Sequence, residues 1–326
     1  GGNVEGQPII QSLQANQIAV RVERYDPATG ELLFFNYSTH APYMHYGVVD
    51  AQNKLTHYRP IPLPGPRLPH DMAFTESYVI LNDFPLFWDA TQLAQNRHVV
   101  RLHELPSRFA IVPRYGDGAI RWFEAKPTFV LHWINAYEDG DEIVLDGYFQ
   151  SNPEPGKFAG APEGYEHMMG HLDEHTFGSR LHRWRFNLSD GTTAEETLDE
   201  RILEFGTINQ RFAGRKHRYA YSTTSKPGWF LFTGVVKHDL HNGASEAYLF
   251  GEGRYGSEAP FAPRVDAADE DDGYLVSFVI DENAGKSECV LIDAKRIAEG
   301  PVARIALPHK ICSGTHACWA DRASFR

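Results

Sequence analysis

The sequence predicts an all-β fold, with a propeller ahead of a barrel or sandwich. Three observations carry that reading. Apolar and aromatic residues cluster in short β-rich runs, the runs are separated by Asp, Gly, Asn and Pro turns, and no regular helical crossover lies between them. The 28 glycines and 20 prolines in 326 residues fit many short elements joined by turns and argue against a helical bundle.

Taken in order, strands are expected at 31–37 (ELLFFNY), 43–50 (YMHYGVVD), 77–88 (SYVILNDFPLFW), 109–115 (FAIVPRY), 129–137 (FVLHWINAY), 142–150 (EIVLDGYFQ) and 180–188 (RLHRWRFNL). Further strands are expected at 228–236 (GWFLFTGVV), 246–255 (EAYLFGEGRY), 273–281 (GYLVSFVID) and 287–294 (SECVLIDA). Turn sequences such as EDGD and ENAGK join several of these runs as antiparallel hairpins. Helix is expected only at 89–96, 163–174 and 194–203. Residues 151–178 form the one long insertion, which reads as a loop-rich lid over a single domain spanning 1–326.

A formal net charge of −12 argues against nucleic acid or an anionic membrane surface as the main partner, because both require a basic face. No apolar stretch is long enough for a transmembrane segment, and the opening residues lack the pattern of a secretory leader. Cys289, Cys312 and Cys318 are too few for a disulfide framework, so a cytoplasmic setting is the expectation.

The chemistry is to be sought among the 16 histidines. His70 in LPHDMAFTE, His132 in FVLHWINAY and His316 in SGTHACW stand 62 and 184 residues apart, so only a closed fold could gather them. Imidazoles gathered on a propeller axis suit iron, zinc or copper, and each needs an acceptor for its other ring nitrogen. Glu204 in ILEFGT and Glu270 in DEDDGYLVSF are candidate acceptors, since a carboxylate beside apolar strand sequence is costly unless paired. Taken singly, each histidine is as well read as a core residue; the set carries the metal reading.

LPHDMAFTE, HWINAYEDG, EFGTINQRFAGRKHRYAY, EDDGYLVSFV and THACW, in this order and spacing, resemble the carotenoid cleavage oxygenases, which include lignostilbene dioxygenases and the retinoid isomerase. SRFAIVPRYGDG and PIPLPGP fit the same pattern, and the resemblance runs from about residue 24 to 320. It implies a seven-bladed β-propeller with a few short helices and an Fe(II) ion held on its axis by four histidines, three of them hydrogen-bonded to glutamates. By motif, His70, His132 and His316 match three ligands, while Glu204 and Glu270 match partners for His132 and His316 respectively. The implied activity is cleavage of a C=C bond of an apolar conjugated substrate, stilbene-like or carotenoid, by O2 to two carbonyl fragments, with no acid or base residue required.

The chain departs from the family pattern at the first ligand. The segment Asp26-Pro27-Ala28-Thr29-Gly30-Glu31 fits, yet the histidine position before it falls on Val22, and the upstream blades and third glutamate have no counterpart. The expectation is an altered or incomplete version of a longer chain, with His40 and His45 as the nearest replacement ligands. An alternative function follows, a propeller that binds an apolar ligand or partner without turnover.

Other constellations are weaker. His167, His171 and His175 recur at helical spacing near Asp173 and Glu174, but Gly170 and the Pro/Gly-rich approach weaken the helix, so adventitious metal is the most they imply. Cys312 and Cys318 flank His316 at a spacing unlike structural zinc sites, and GEGRYG opens no helix to bind phosphate. Trp122, Phe123, Phe129, Trp133, Tyr137, Trp184, Trp229 and Phe230 supply flat apolar surface. Most read as core; Phe123 and Trp133 are the candidates for a substrate tunnel.

Overall fold

The computed structural model describes residues 22–95, 97, 100–153, 172–312 and 314–320. These residues form five antiparallel sheets and one two-stranded side hairpin. The first sheet runs β1 (Val22–Asp26), β2 (Glu31–Tyr37), β3 (Tyr43–Val49), β4 (Leu55–Pro62) in spatial order. The second holds β5 (Ala73–Phe74), β6 (Tyr78–Asp83), β9 (Ser107–Pro113) and β10 (Arg121–Ala125), with β7 (Leu86–Trp88) and β8 (Val100–Leu102) projecting from it as the side hairpin. The third runs β11 (Trp133–Asp139), β12 (Glu142–Gln150), β13 (Ser179–Asn187), β14 (Thr193–Thr197), and the fourth β15 (Leu203–Thr207), β16 (Tyr219–Ser225), β17 (Phe232–Asp239), β18 (Ala244–Leu249). The fifth joins β19 (Arg254–Tyr255), β21 (Gly273–Asp281), β22 (Lys286–Asp293) and β23 (Pro301–Ala306), with β20 (Phe261–Pro263) paired to β21. Two single-turn helices, α1 (Ala90–Leu93) and α2 (Glu174–Phe177), are capped by Asp89 and Asp173.

Neighbouring sheets share cores along the chain. Phe35, Tyr46 and Val48 of the first sheet pack with Val79, Leu81 and Val112 of the second. Phe109 of the second meets Trp133, Trp184 and Phe186 of the third. Ile134, Tyr148 and Leu181 meet Leu203, Ala220 and Val236, and Tyr221 and Val235 meet Phe261, Leu275 and Val290. Alternating side chains let each strand feed a core on one or both faces of its sheet. β11 packs beside β5 and β15, and β1, β5, β11, β15 and β20 all contribute to one cavity of about 900 Å³. Seven blades were expected; five sheets are present among the described residues, and none closes on itself.

Three expected elements differ. The 77–88 run breaks between β6 and β7 around Phe84 and Pro85, because proline has no N–H to continue the ladder. The 194–203 helix is instead β14, an outer strand whose Glu196 pairs with Arg183, so sheet pairing overrides the helical tendency of AEE. The 246–255 run divides into β18 and β19, with Gly251 and Gly253 at φ +103° and +72° turning the chain into the next sheet. Most of the 151–178 insertion, including His167, His171 and most of the 163–174 helix, lies outside the described residues. No helix among the described residues is long and apolar enough to cross a membrane.

Candidate metal centre

The chain brings the three histidines together from three separate sequence segments. His70 lies ahead of β5, His132 immediately before β11, and His316 on the segment that follows β23. The His132 ring is the middle one, 5.3 Å from His70 and 5.0 Å from His316 between ring centres, with interplanar angles of 79° and 83°.

His132 Nδ1 is 2.7 Å from Glu204 Oε2. An ionised carboxylate only accepts, so the proton of the neutral ring belongs on Nδ1 and the lone pair on Nε2. That Nε2 is buried and has no hydrogen-bond partner among the described residues. Glu204 is itself fully buried, and the same Oε2 accepts from Phe205 N at 2.6 Å. Burial alone would lower the His132 pKa, but the Glu204 carboxylate outweighs it by charge and hydrogen bond and holds the pKa above its ordinary value. His70 is exposed, yet neighbouring protein crowds its ring enough for desolvation, helped by His132 and His316, to bring its pKa down to about 4.

The expected partner of His316 is corrected. Glu258, not Glu270, faces it, with Oε2 3.3 Å from His316 Nδ1 and 2.8 Å from Ala317 N. Glu270 accepts from the backbone N–H groups of Arg218 (2.8 Å) and Tyr219 (2.7 Å), tying the turn before β21 to the start of β16. Both glutamates border apolar sequence, so composition does not separate them; the fold does.

Of the two tunnel candidates, Phe123 is corrected. Phe123 points into the core between the second and third sheets, 5.3 Å from Phe186. Trp133 borders the cavity, but its ring packs 5.3 Å from Trp184 and 6.0 Å from Phe109. The aromatic that does face the imidazoles is Phe205, 4.6 Å from His132 and 5.3 Å from His316, backed by Phe230 and Phe232. It sits at φ +51°, where the β15–β16 register shifts between Glu204 and Thr207. Such a conformation is uncommon for a bulky side chain and no sequence signal announces it.

Other candidates are engaged elsewhere. His45 stacks on Tyr58 at 4.9 Å, and His40 lies in the β2–β3 turn beside Thr39. His175 Nε2 is 3.0 Å from the Ser225 carbonyl oxygen. Asp71, next to His70, accepts from Trp133 N at 2.9 Å and Met72 N at 2.7 Å, and pairs with Arg24.

Imidazole nitrogens are the donor type that suits a metal ion. A ligating nitrogen about 2.1 Å from the ion puts its ring centre about 3.2 Å away, so two rings meeting there at right or tetrahedral angles lie about 4.5–5.2 Å apart. The His132–His316 separation falls in that interval and the His70–His132 separation stands at its upper edge, and His132 Nε2 is buried without a partner among the described residues. The described residues hold no ready-made cluster of three ligating side chains about one point.

The sequence matches, over residues 23–321, the family described as retinal pigment epithelial membrane protein. The chain belongs to this family, the carotenoid cleavage oxygenases. Within the carotenoid cleavage oxygenases it is 37% identical to carotenoid 9,10(9',10')-cleavage dioxygenase 1 of Pisum sativum, over 90% of this chain and 56% of that protein. It is 30% identical to isoeugenol monooxygenase of Pseudomonas nitroreducens, over 92% of this chain and 65% of the relative. The crystal structure of the Pseudomonas brassicacearum lignostilbene dioxygenase superposes with a TM-score of 0.78 at 26% identity, covering 91% of this chain and 65% of the other. The chain thus spans little more than half the length of the Pisum relative.

Proposed function

We propose that this chain belongs to a non-haem Fe(II) dioxygenase that cleaves a C=C bond of an apolar conjugated substrate, stilbene-like or carotenoid, with O2 to give two carbonyl products. Its five sheets are then blades of the family's propeller, and the cavity bordered by β1, β5, β11, β15 and β20 marks the axis. The observation that carries the reading is His132: its Nδ1 is committed to Glu204, its Nε2 is buried and free, and its ring lies between those of His70 and His316. Similarity to carotenoid and isoeugenol oxygenases supports the substrate class.

His70, His132 and His316 would hold the ion, and Fe(II) when bound supplies the O2 chemistry that no side chain here provides. Glu204 and Glu258 would hold the protons of His132 and His316 on Nδ1, leaving each Nε2 lone pair available to an ion. Phe205, with Phe230 and Phe232 behind it, gives one side of the site an apolar aromatic wall that excludes water and offers a flat conjugated molecule a stacking surface.

The test is to load the chain with Fe(II) without air, admit O2 with a stilbene or an apocarotenoid, and analyse for paired carbonyl fragments. Both fragments are expected, and loss of both in His132→Ala. A fully loaded chain that releases neither fragment from either substrate would favour ligand binding without turnover.

A further inference from the structure

Arg24 and Asp71 are joined by an ion pair whose every remaining contact reaches the backbone beside a proposed ligand. Asp71 follows His70 directly, and its side chain is largely buried, at 6% exposure. Its Oδ1 accepts from Met72 N at 2.7 Å, and its Oδ2 from Trp133 N at 2.9 Å, the residue next to His132. Arg24, on β1, donates Nε to Asp71 Oδ1 and to the Met72 carbonyl, both at 3.1 Å. Its Nη2 donates to Asp71 Oδ2 and, at 3.1 Å, to the Trp133 carbonyl. One carboxylate and one guanidinium thus bind both the N–H and the carbonyl of Trp133 and both the N–H and the carbonyl of Met72. They join three segments, β1, the stretch before β5, and the start of β11.

We infer that Arg24 and Asp71 are positioning residues for the metal centre: they fix the spacing of the His70 and His132 imidazoles by holding the backbone on which each stands. The inference rests on the three-histidine reading of the site. The chemistry matches the task. A planar guanidinium presents several N–H groups at fixed angles and can satisfy a carboxylate and two carbonyls together, which the single ammonium of lysine cannot. The carboxylate is acceptor-only, so it suits two convergent backbone N–H groups, whereas an asparagine would turn an NH2 toward one of them. Neither residue hydrogen-bonds an imidazole; both place charge near His132, Asp71 raising and Arg24 lowering its pKa, while their hold on ligand spacing passes through the main chain, where displacement of a ligand by about 1 Å matters.

The experiment compares Co(II) binding by the whole chain, read from its visible absorption band in competition with a chelator, with the thermal midpoint of the metal-free protein. Asp71→Asn is expected to weaken Co(II) binding about 10- to 100-fold and to alter the band. Arg24→Lys should retain more affinity than Arg24→Met. The control is Asp146→Asn, which breaks the more deeply buried pair in which Arg183 Nε and Nη2 lie 2.7 and 2.9 Å from Asp146; it should lower the midpoint and leave the Co(II) band and affinity unchanged. If the parent chain binds Co(II) and Asp71→Asn binds it equally well with the same band, the positioning role is overturned and the metal site stands. Equal weakening by Asp71→Asn and Asp146→Asn would likewise reduce the pair to general stability. A parent chain that binds no Co(II), or binds it equally well as His132→Ala, overturns the metal site itself and the positioning role with it.

Discussion

At the scale of single residues, the carboxylates decide how the imidazoles are presented. Glu204→Gln and Glu258→Gln should each weaken iron retention about 10- to 100-fold, measured by dialysis against a chelator, because each replaces the charged acceptor that orients a ring by a neutral amide whose NH2 can turn toward it. Glu270→Ala should leave iron retention unchanged while costing about 1–3 kcal/mol in denaturant unfolding, since it strands the N–H groups of Arg218 and Tyr219. Glu174 offers a pH test. It is buried at 1% exposure with neither carboxyl oxygen partnered among the described residues, and burial, then the Glu204 and Asp173 charges, raise its pKa well above the ordinary 4.5. The folded chain therefore keeps a proton here that the unfolded chain releases above about pH 4.5, so this residue's stabilising contribution is complete in acid and is lost as pH rises. Glu174→Gln should raise the thermal midpoint at about pH 8, with the gain shrinking toward about pH 4. The three histidines and Glu204 were legible because each stands in a distinctive motif. Glu258, in GSEAPFAP, was not, because nothing local distinguishes it from Glu270.

At the scale of elements, strands with sharp turn residues at both ends were read with their observed limits, as for β2 at 31–37, β12 at 142–150 and β21 at 273–281. β14 was misread because its partner β13, rather than its own composition, makes it a strand. The bulge in β15 was invisible for a related reason: it depends on what surrounds Phe205 and Gly206 in three dimensions. A Cβ on Gly206 would stand 2.4 Å from Ile134 Cγ1 and 2.5 Å from the Tyr148 hydroxyl. Gly206→Ala should therefore destabilise the chain by about 1–3 kcal/mol. It should also weaken metal retention, because β11 and the Glu204–Phe205 turn must move apart to admit the methyl group. Calorimetry of the metal-free chain and chelator competition of the loaded chain check the two effects separately.

At the scale of the whole molecule, each sheet is held to the next by its own apolar layer, and this serial packing is what brings residues 62 and 184 positions apart in sequence into ring contact. The all-β architecture was legible from run lengths and turns; the convergence of the histidines was not, since it depends on the order in which sheets stack. Trp184 is fully buried between the second and third sheets. Trp184→Ala should cost about 3–5 kcal/mol by denaturant unfolding. The most direct test of the three-histidine iron centre is the number of iron atoms retained per chain after anaerobic Fe(II) loading and desalting, compared between the parent and His132→Ala. The geometry predicts about one iron per parent chain and near-complete loss in the variant, as expected when one of three imidazoles is removed. Iron absent from the parent, or retained equally by both proteins, would contradict it.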